Sequence, residues 1–492
     1  LLAKSSQVIF YLRPIGNGTV FYEILSKEFA GAMVEAYIFN ITNVAQFMSG
    51  EDYKLKVEEI GPFTYQEFRS HDALFVDEEA GTLRYTPRIH TKFHRDKSIA
   101  DPKEVNVSVP NIPFLVSTYP IWTQLGLNML ANRLDSQPIF NLNIHDFLWG
   151  YDDPLIALGN TLIPGMINFE KLGMLDRLYD RKKNYTLELG ATDAEKLLIK
   201  TSLLSLLVLL FLLYSRTRCN TFVDTYEGLA YPPNLTPETP LRVYRNVFCR
   251  IIDLQYTGTQ ETDFGPTAFV YRFSNTTFKR GAETECLCGK LGCLDGMTDL
   301  SPCFYDFEVY LSQAHFLEVD PKLYERMDGI RPEVKKHGSE ITVDPKLGAV
   351  LTTTFTLQLN VVVKDVNFNA RAKPFSHMIV PVIYFKIIQP ELPEETKAMF
   401  RSLYNVLPYI CIGIDAVLLA TAVAILAYAA RMVYRNRQGT KDGMGFNVTR
   451  DEKPLPVSIE EPLIEREAFF TAEVISKCPL DNTDNCRRKG LS

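Results

Sequence analysis

Through most of the chain apolar and polar residues trade places over a few positions, and at one place only do apolar residues run on long enough to cross a bilayer. That stretch is Val406 to Ala430, VLPYICIGIDAVLLATAVAILAYAA. About 20 such residues match the roughly 30 Å hydrocarbon core. Arg431, Arg435, Arg437 and Lys441 follow it, while Glu391, Glu394 and Glu395 precede it. The positive-inside bias then places the tail, residues 431–492, in the cytoplasm and residues 1–405 outside the cell or in a lumen. Asp415 inside the span is costly in hydrocarbon and is expected to be protonated or to face a partner helix.

Shorter patterns predict strands. In Leu351 to Val363, LTTTFTLQLNVVV, Phe355, Leu357, Leu359 and Val361 alternate with Thr, Gln and Asn, the mark of a long strand with one buried face. Val105 to Val109 and Phe269 to Phe273 repeat the pattern on a smaller scale, and Gly61-Pro62 punctuates a strand-like text as a turn. A helical period appears between Pro113 and Phe140, where Ile121, Leu125 and Met129 fall at i, i+4 and i+8 beside Trp122, Leu130 and Leu134. Ser202 to Tyr214 is apolar but has only thirteen residues, nearer a buried helix or a signal-peptide core than a span.

Charge and cysteine content narrow the class. A formal net charge of −7 argues against a nucleic-acid partner. Six of the nine cysteines cluster between Cys219 and Cys303, in the part predicted to lie in an oxidising compartment, and an even number there fits a closed disulfide set. Six cysteines allow 15 pairings, and spacing does not choose among them. Asn17, Asn40, Asn106, Asn184, Asn234 and Asn275 each head a glycosylation triplet before the span, whereas Asn447 heads one in the predicted cytoplasm and should stay bare.

The runs Tyr37-Ile38-Phe39-Asn40-Ile41-Thr42-Asn43 and Val57-Glu58-Glu59-Ile60-Gly61-Pro62-Phe63-Thr64-Tyr65 strongly resemble the scavenger receptor class B family, which includes fatty acid translocase and the lysosomal integral membrane protein. Leu148-Trp149-Gly150-Tyr151-Asp152-Asp153-Pro154 looks like that family's signature, and Cys286-Leu287-Cys288 with Cys293 and Cys303 matches its cysteine pattern. The resemblance implies an α+β fold: a large antiparallel β-barrel ectodomain, capped by a helical bundle over about 113–175, pierced by a lipid tunnel and followed by the C-terminal transmembrane helix. It also implies an N-terminal span, so the chain is expected to be truncated just after one. The implied disulfides are Cys219–Cys286, Cys249–Cys303 and Cys288–Cys293. Residues 191–218 depart from the family, which carries a polar, strand-rich stretch there, and are expected to be a divergent segment.

Catalytic constellations are weak. His90 and His94 stand four apart, but the glutamate of a zinc-protease motif is missing and the text around them is strand-like, which makes them surface histidines. Cys286, Cys288 and Cys293 could hold zinc as thiolates, yet an oxidising compartment favours disulfides. No nucleophile elbow and no phosphate-cradling glycine loop occurs. The expectation is a receptor, with neither enzyme activity nor a cofactor, at the plasma membrane. It would bind hydrophobic ligands (fatty acids, sterols, carotenoids or lipoprotein lipid) and pass them to the membrane through the tunnel. Ile121, Trp122, Leu125 and Met129 at the apex are the expected capture residues. Because Arg133 and Asp135 are the only ionised side chains in that stretch and cancel, capture should be chiefly hydrophobic. The alternative, prompted by Glu460-Glu461-Pro462-Leu463-Ile464 in the tail, which resembles acidic dileucine endosomal signals, is an endosomal or lysosomal trafficking receptor for a protein ligand.

Overall fold

The computed structural model describes residues 15–442, apart from residues 17, 293 and 368 and segments 116–128, 130–132, 163–168, 180–184, 193–196, 205–221, 246–249, 274–276, 280–284, 289–291, 302–303 and 305–306. The fold is α+β and mostly sheet. Strands β1 (Phe29–Ile41), β2 (Leu55–Asp77) and β3 (Thr82–Phe93) form a meander, and β4 (Asn106–Pro110) pairs apart from it with β5 (Ile139–Asn143). The path continues through β6 (Tyr185–Gly190), β7 (Ile199–Leu204), β8 (Thr225–Tyr226), β9 (Leu241–Arg245), β10 (Arg250–Glu261) and β11 (Thr267–Phe273). It closes with β12 (Met297–Asp299), β13 (Val309–Gln313), β14 (Met327–Asp328), β15 (Glu340–Asp344), β16 (Ala349–Val362) and β17 (Ile379–Ile388).

The main sheet runs in the order β7-β6-β3-β2-β1-β17-β16-β15-β11-β10-β9-β8. Almost every neighbouring pair is antiparallel, as expected of strands with one or both faces packed on a core. The sheet is not closed by a continuous ladder. Its two ends are pinned at one point, where Leu198 bridges Tyr226 and the Glu227 amide donates to the Leu197 carbonyl at 3.1 Å. The closed barrel and the tunnel thus stay with the resemblance and are taken up below as proposals.

Three local expectations are corrected. Gly61-Pro62 is no turn: it lies inside β2, at a register shift opposite Ala36 and Ile38, where a side chain on residue 61 would come within 2.7 Å of the Ala36 carbonyl. Leu351 to Val363 has no solvated face beyond its start, because Thr356, Gln358 and Asn360 are as buried as the leucines between them. The apolar run does not begin as a buried helix; its first residues, Ser202, Leu203 and Leu204, end strand β7, paired with β6, and residues 205–214 lie outside the described residues. β-branched Ile199 and Thr201 suit a pleated strand.

The signature around Trp149 builds two short helices. Asn143 caps Ile144–Trp149 by accepting from the Asp146 amide at 2.9 Å. Gly150 then takes φ 135, in a place where a side chain would meet Lys171. Asp153 accepts from the amides of Leu155 and Ile156, and Pro154 occupies the first position of Pro154–Leu162, where its missing N–H costs nothing.

At the other end, Glu394–Arg401 leads through a π-helical turn, Ser402–Val406, into the helix Leu407–Asp442. Its described side chains from Pro408 to Arg435 are all exposed, Ile412, Leu419 and Ile425 among them, so they need an apolar surround. This is the one helix among the described residues long and apolar enough to cross a membrane, and it exceeds the 406–430 expected from hydropathy because the basic flank stays helical.

Candidate functional site

The described residues bring together a buried cluster that sequence spacing did not reveal: Glu59 on β2, His315 in the turn after β13, and His337 at the end of the helical turn Val334–His337. One ligand-type atom of each lies within 4.8 Å of the others. Both histidines are buried, at 4% and 1% exposure, and their rings stack with centroids 4.2 Å apart. Phe39 and Tyr384 wall them in edge-on.

The buried polar face of β16 sets His315. Gln358 Oε1 accepts from the His315 amide at 2.6 Å, Gln358 Nε2 donates to Asn360 at 2.7 Å, and Asn360 Nδ2 donates to Ser312 Oγ at 2.9 Å. His315 sits at φ 51, and Phe316 and Glu318 beside it are also left-handed. Such backbone persists for residues with side chains only when surrounding bonds over-determine it.

Donor and acceptor roles follow. His315 Nε2 donates to Glu59 Oε2 at 2.7 Å, and Lys336 Nζ donates to Glu59 Oε1 at 3.1 Å. His315 Nδ1 accepts from the Arg331 amide at 3.1 Å, and His337 Nδ1 from the Glu333 amide at 3.0 Å. Each ring therefore carries its proton on Nε2. His337 Nε2 makes no hydrogen bond among the described residues. Burial alone would raise the Glu59 carboxyl, but the bonds from His315 and Lys336 and the Lys336 charge outweigh it and bring it down to about 2. Burial, then the neighbouring His315 and Lys336, push His337 down to about 4. Burial, then the Glu59 charge, push the Tyr384 hydroxyl up.

Two histidines and a glutamate are a zinc-type ligand set, but the surroundings have the wrong polarity. A metal-bound imidazole normally holds its proton on the other nitrogen and gives it to a carbonyl or carboxylate. Here that nitrogen faces an amide N–H in both rings, so a metal on Nε2 would set donor against donor and a metal on Nδ1 would displace the amide. The cluster is arranged to hold neutral imidazoles around one carboxylate.

The residues singled out by sequence are scattered. Met129 is 75% exposed, so the described member of the apex stripe is no core residue, while Ile121, Trp122 and Leu125 lie outside the described residues. Asp135 pairs with Arg371 at 3.0 Å. Within the 113–175 region, the described helices are Ile144–Trp149, Pro154–Leu162 and Met174–Leu178, with Ile112–Leu115 at its edge. Asn106 and Asn234 are exposed; Asn40 is half-buried, its Oδ1 accepting from the Ser108 amide at 2.8 Å. Asn17, Asn184 and Asn275 lie outside the described residues, as do Cys219, Cys249, Cys293, Cys303 and the tail motif. Cys286 and Cys288 are both disulfide-bonded. His90 is an exposed strand residue stacked on Phe68.

Among the described residues, an α+β sheet is followed by one exposed apolar helix long enough to cross a membrane, the make-up of a membrane protein. Residues 5–433 match the profile of the CD36 family, and the chain belongs to that family. It is 25% identical to scavenger receptor class B member 1 of Sus scrofa over 401 residues, 80% of this chain and 77% of the relative. It is likewise 25% identical to lysosome membrane protein 2 of Rattus norvegicus over 418 residues, 81% of this chain and 84% of the relative.

Proposed function

We propose that the protein is a scavenger-type receptor that binds hydrophobic ligands, of the fatty acid, sterol, carotenoid or lipoprotein-lipid class, and transfers them to the membrane through a tunnel in a closed β-barrel. The observation that carries this reading is the extent of the family match, which covers both the residues of the sheet and those of the apolar helix. An apolar molecule leaving water gains about 25 cal/mol per Å² buried, and a dry conduit needs no other energy to load. In this reading the receptor lies at the plasma membrane, residues 1–405 face away from the cytoplasm, the three disulfides are Cys219–Cys286, Cys249–Cys303 and Cys288–Cys293, and the six sequons before the span carry glycans. Capture at Ile121, Trp122, Leu125 and Met129 is hydrophobic, and the exposed Met129 supports that role.

The test is loading of full-length protein in nanodiscs with a neutral fluorescent sterol, followed by transfer to acceptor vesicles. Loading should change little between low and high salt, and Leu125→Glu should reduce it while surface delivery is kept. Steep loss with salt would overturn hydrophobic capture, and loading unchanged by Leu125→Glu would remove the apex from the route. The second reading, a trafficking receptor for a protein ligand in endosomes or lysosomes, is favoured by the equal similarity to the lysosomal relative. Residence of the full-length protein in lysosomes, with no lipid transfer, would select it.

A further inference from the structure

We propose that Glu59, His315 and His337 form an acid-released latch that holds the segment 330–338 against the sheet at neutral pH and frees it in an acidic compartment. Three contacts fasten this segment to the rest of the protein: the Arg331 amide to His315 Nδ1, Lys336 Nζ to Glu59, and Thr356 Oγ1 to the Gly338 carbonyl; within the segment the Glu333 amide donates to His337 Nδ1 and fixes that ring. The Arg331 and Glu333 amide bonds each need an imidazole lone pair. A proton arriving on Nδ1 occupies it, and the ring N–H then faces an amide N–H. Protonation of His337 therefore breaks the bond that fixes its ring and sets a positive charge in a buried pocket where the His315 ring lies 4.2 Å away, centroid to centroid.

The groups facing the cluster come from every element packed on it. Glu59 stands on β2, Lys336 on the segment itself, Lys386 and Tyr384 on β17, and Tyr37 and Glu35 on β1, where the Tyr37 hydroxyl donates to Glu35 at 2.9 Å. Glu59 already receives both His315 and Lys336, and Lys386 disfavours a further positive charge. His337 has no carboxylate bonded to it, so an added proton there has no hydrogen-bonded acid to settle against. Residues Arg331 to Lys336 are exposed, and the segment is rooted in the core by buried His337 and, at its start, by partly buried Ile330. Gly329, at φ 95, begins it in a place where a side chain would strike the Val57 carbonyl. Release would uncover the His315 ring and Tyr384, against which His337 packs.

The experiment is hydrogen exchange with mass spectrometry on full-length protein in nanodiscs, at about pH 7.4 and about pH 5, with protection normalised for the intrinsic exchange rate. With His337 at about 4 in the folded protein against 6.5 free, protection of the peptide covering 330–338 should fall about 25-fold at the lower pH. A peptide from β17 should hold its protection. Gln in place of each histidine offers an acceptor that does not titrate, so His315→Gln with His337→Gln should abolish the fall. Equal protection of the wild-type segment at both pH values would overturn the latch, as would a fall that persists in the double variant. Calorimetric binding of zinc by the wild type and not by the double variant would also overturn it, by making the rings ligands.

Discussion

Among the described residues, two of the places where a histidine, a carboxylate, a basic residue and an aromatic ring meet differ in nearly every physical respect. On β2 and β3, His90 stacks on Phe68 with Glu28 3.7 Å away, and nearby Arg88 pairs with Asp72 at 2.7 Å, all in contact with water. At the edge of the core, buried His315 and exposed Lys336 converge on half-buried Glu59, with Phe39 and Tyr384 against the His315 ring. In water an ion pair is screened and costs side-chain entropy to hold, so its net worth is small. In the interior each partner is committed, because a buried polar group that loses its mate cannot turn to solvent. The same kinds of side chain contribute little on an open sheet face and act as fastenings where His315 and His337 are buried.

The largest way to break the comparison is His315→Ala. It leaves Glu59 short of one donor and the Arg331 amide without its acceptor, and should destabilise the fold by about 3–5 kcal/mol in denaturant or thermal unfolding. A loss under about 1 kcal/mol would put the buried cluster in the same class as the surface pair.

Acid comes next. The folded-state value of His337 is lowered, so the unfolded chain binds more protons, and stability is complete above about pH 6.5 and declines as pH falls towards about 4. The loss should reach up to about 3 kcal/mol, with no further decline from this group below that range. Glu59, lowered to about 2, adds to the loss only below about pH 4.5, as its own stabilisation disappears. Unfolding midpoints measured across this range for wild type and His337→Gln should diverge from pH 6.5 downward; parallel curves would assign the acid sensitivity to other groups.

An intermediate case sharpens the contrast. Asp344 is fully buried, its Oδ1 accepts from Tyr404 at 2.6 Å, and burial raises its carboxyl. Tyr404→Phe should cost about 1–2 kcal/mol in thermal unfolding, since the buried carboxylate loses one donor and Oδ1 keeps the Lys346 amide. The smallest effect belongs to the surface pair: Asp72→Ala and His90→Ala should each shift stability by no more than about 0.5 kcal/mol, and the Asp72 effect should vanish in high salt.

Much of the architecture could be read along the chain, because it depends on local period. The span is a length of apolar residues. The strands at Asn106–Pro110 and Thr267–Phe273 are period-two runs, and the motif from Leu148 to Pro154 carries its cap, its glycine and its proline in order. What failed locally failed for a tertiary reason. The polar positions of β16 looked solvated because alternation reports two faces, not what lies on each; Ser312, Ser339 and the His315 amide cover the second one. Gly61-Pro62 looked like a turn because its chemistry suits one, yet the close approach of Ala36 makes it a kink within a strand.

By itself, then, the sequence determined the fold class, the membrane helix with its charged flanks, and the family, since each is written in contiguous residues. Only the tertiary structure decided that Glu59, His315 and His337 meet, because 256 residues separate Glu59 from His315 and no period links them. It also decided that the two rings are neutral acceptors of backbone amides. That depends on where the Arg331 and Glu333 N–H groups point, a matter of chain path that no side-chain pattern records.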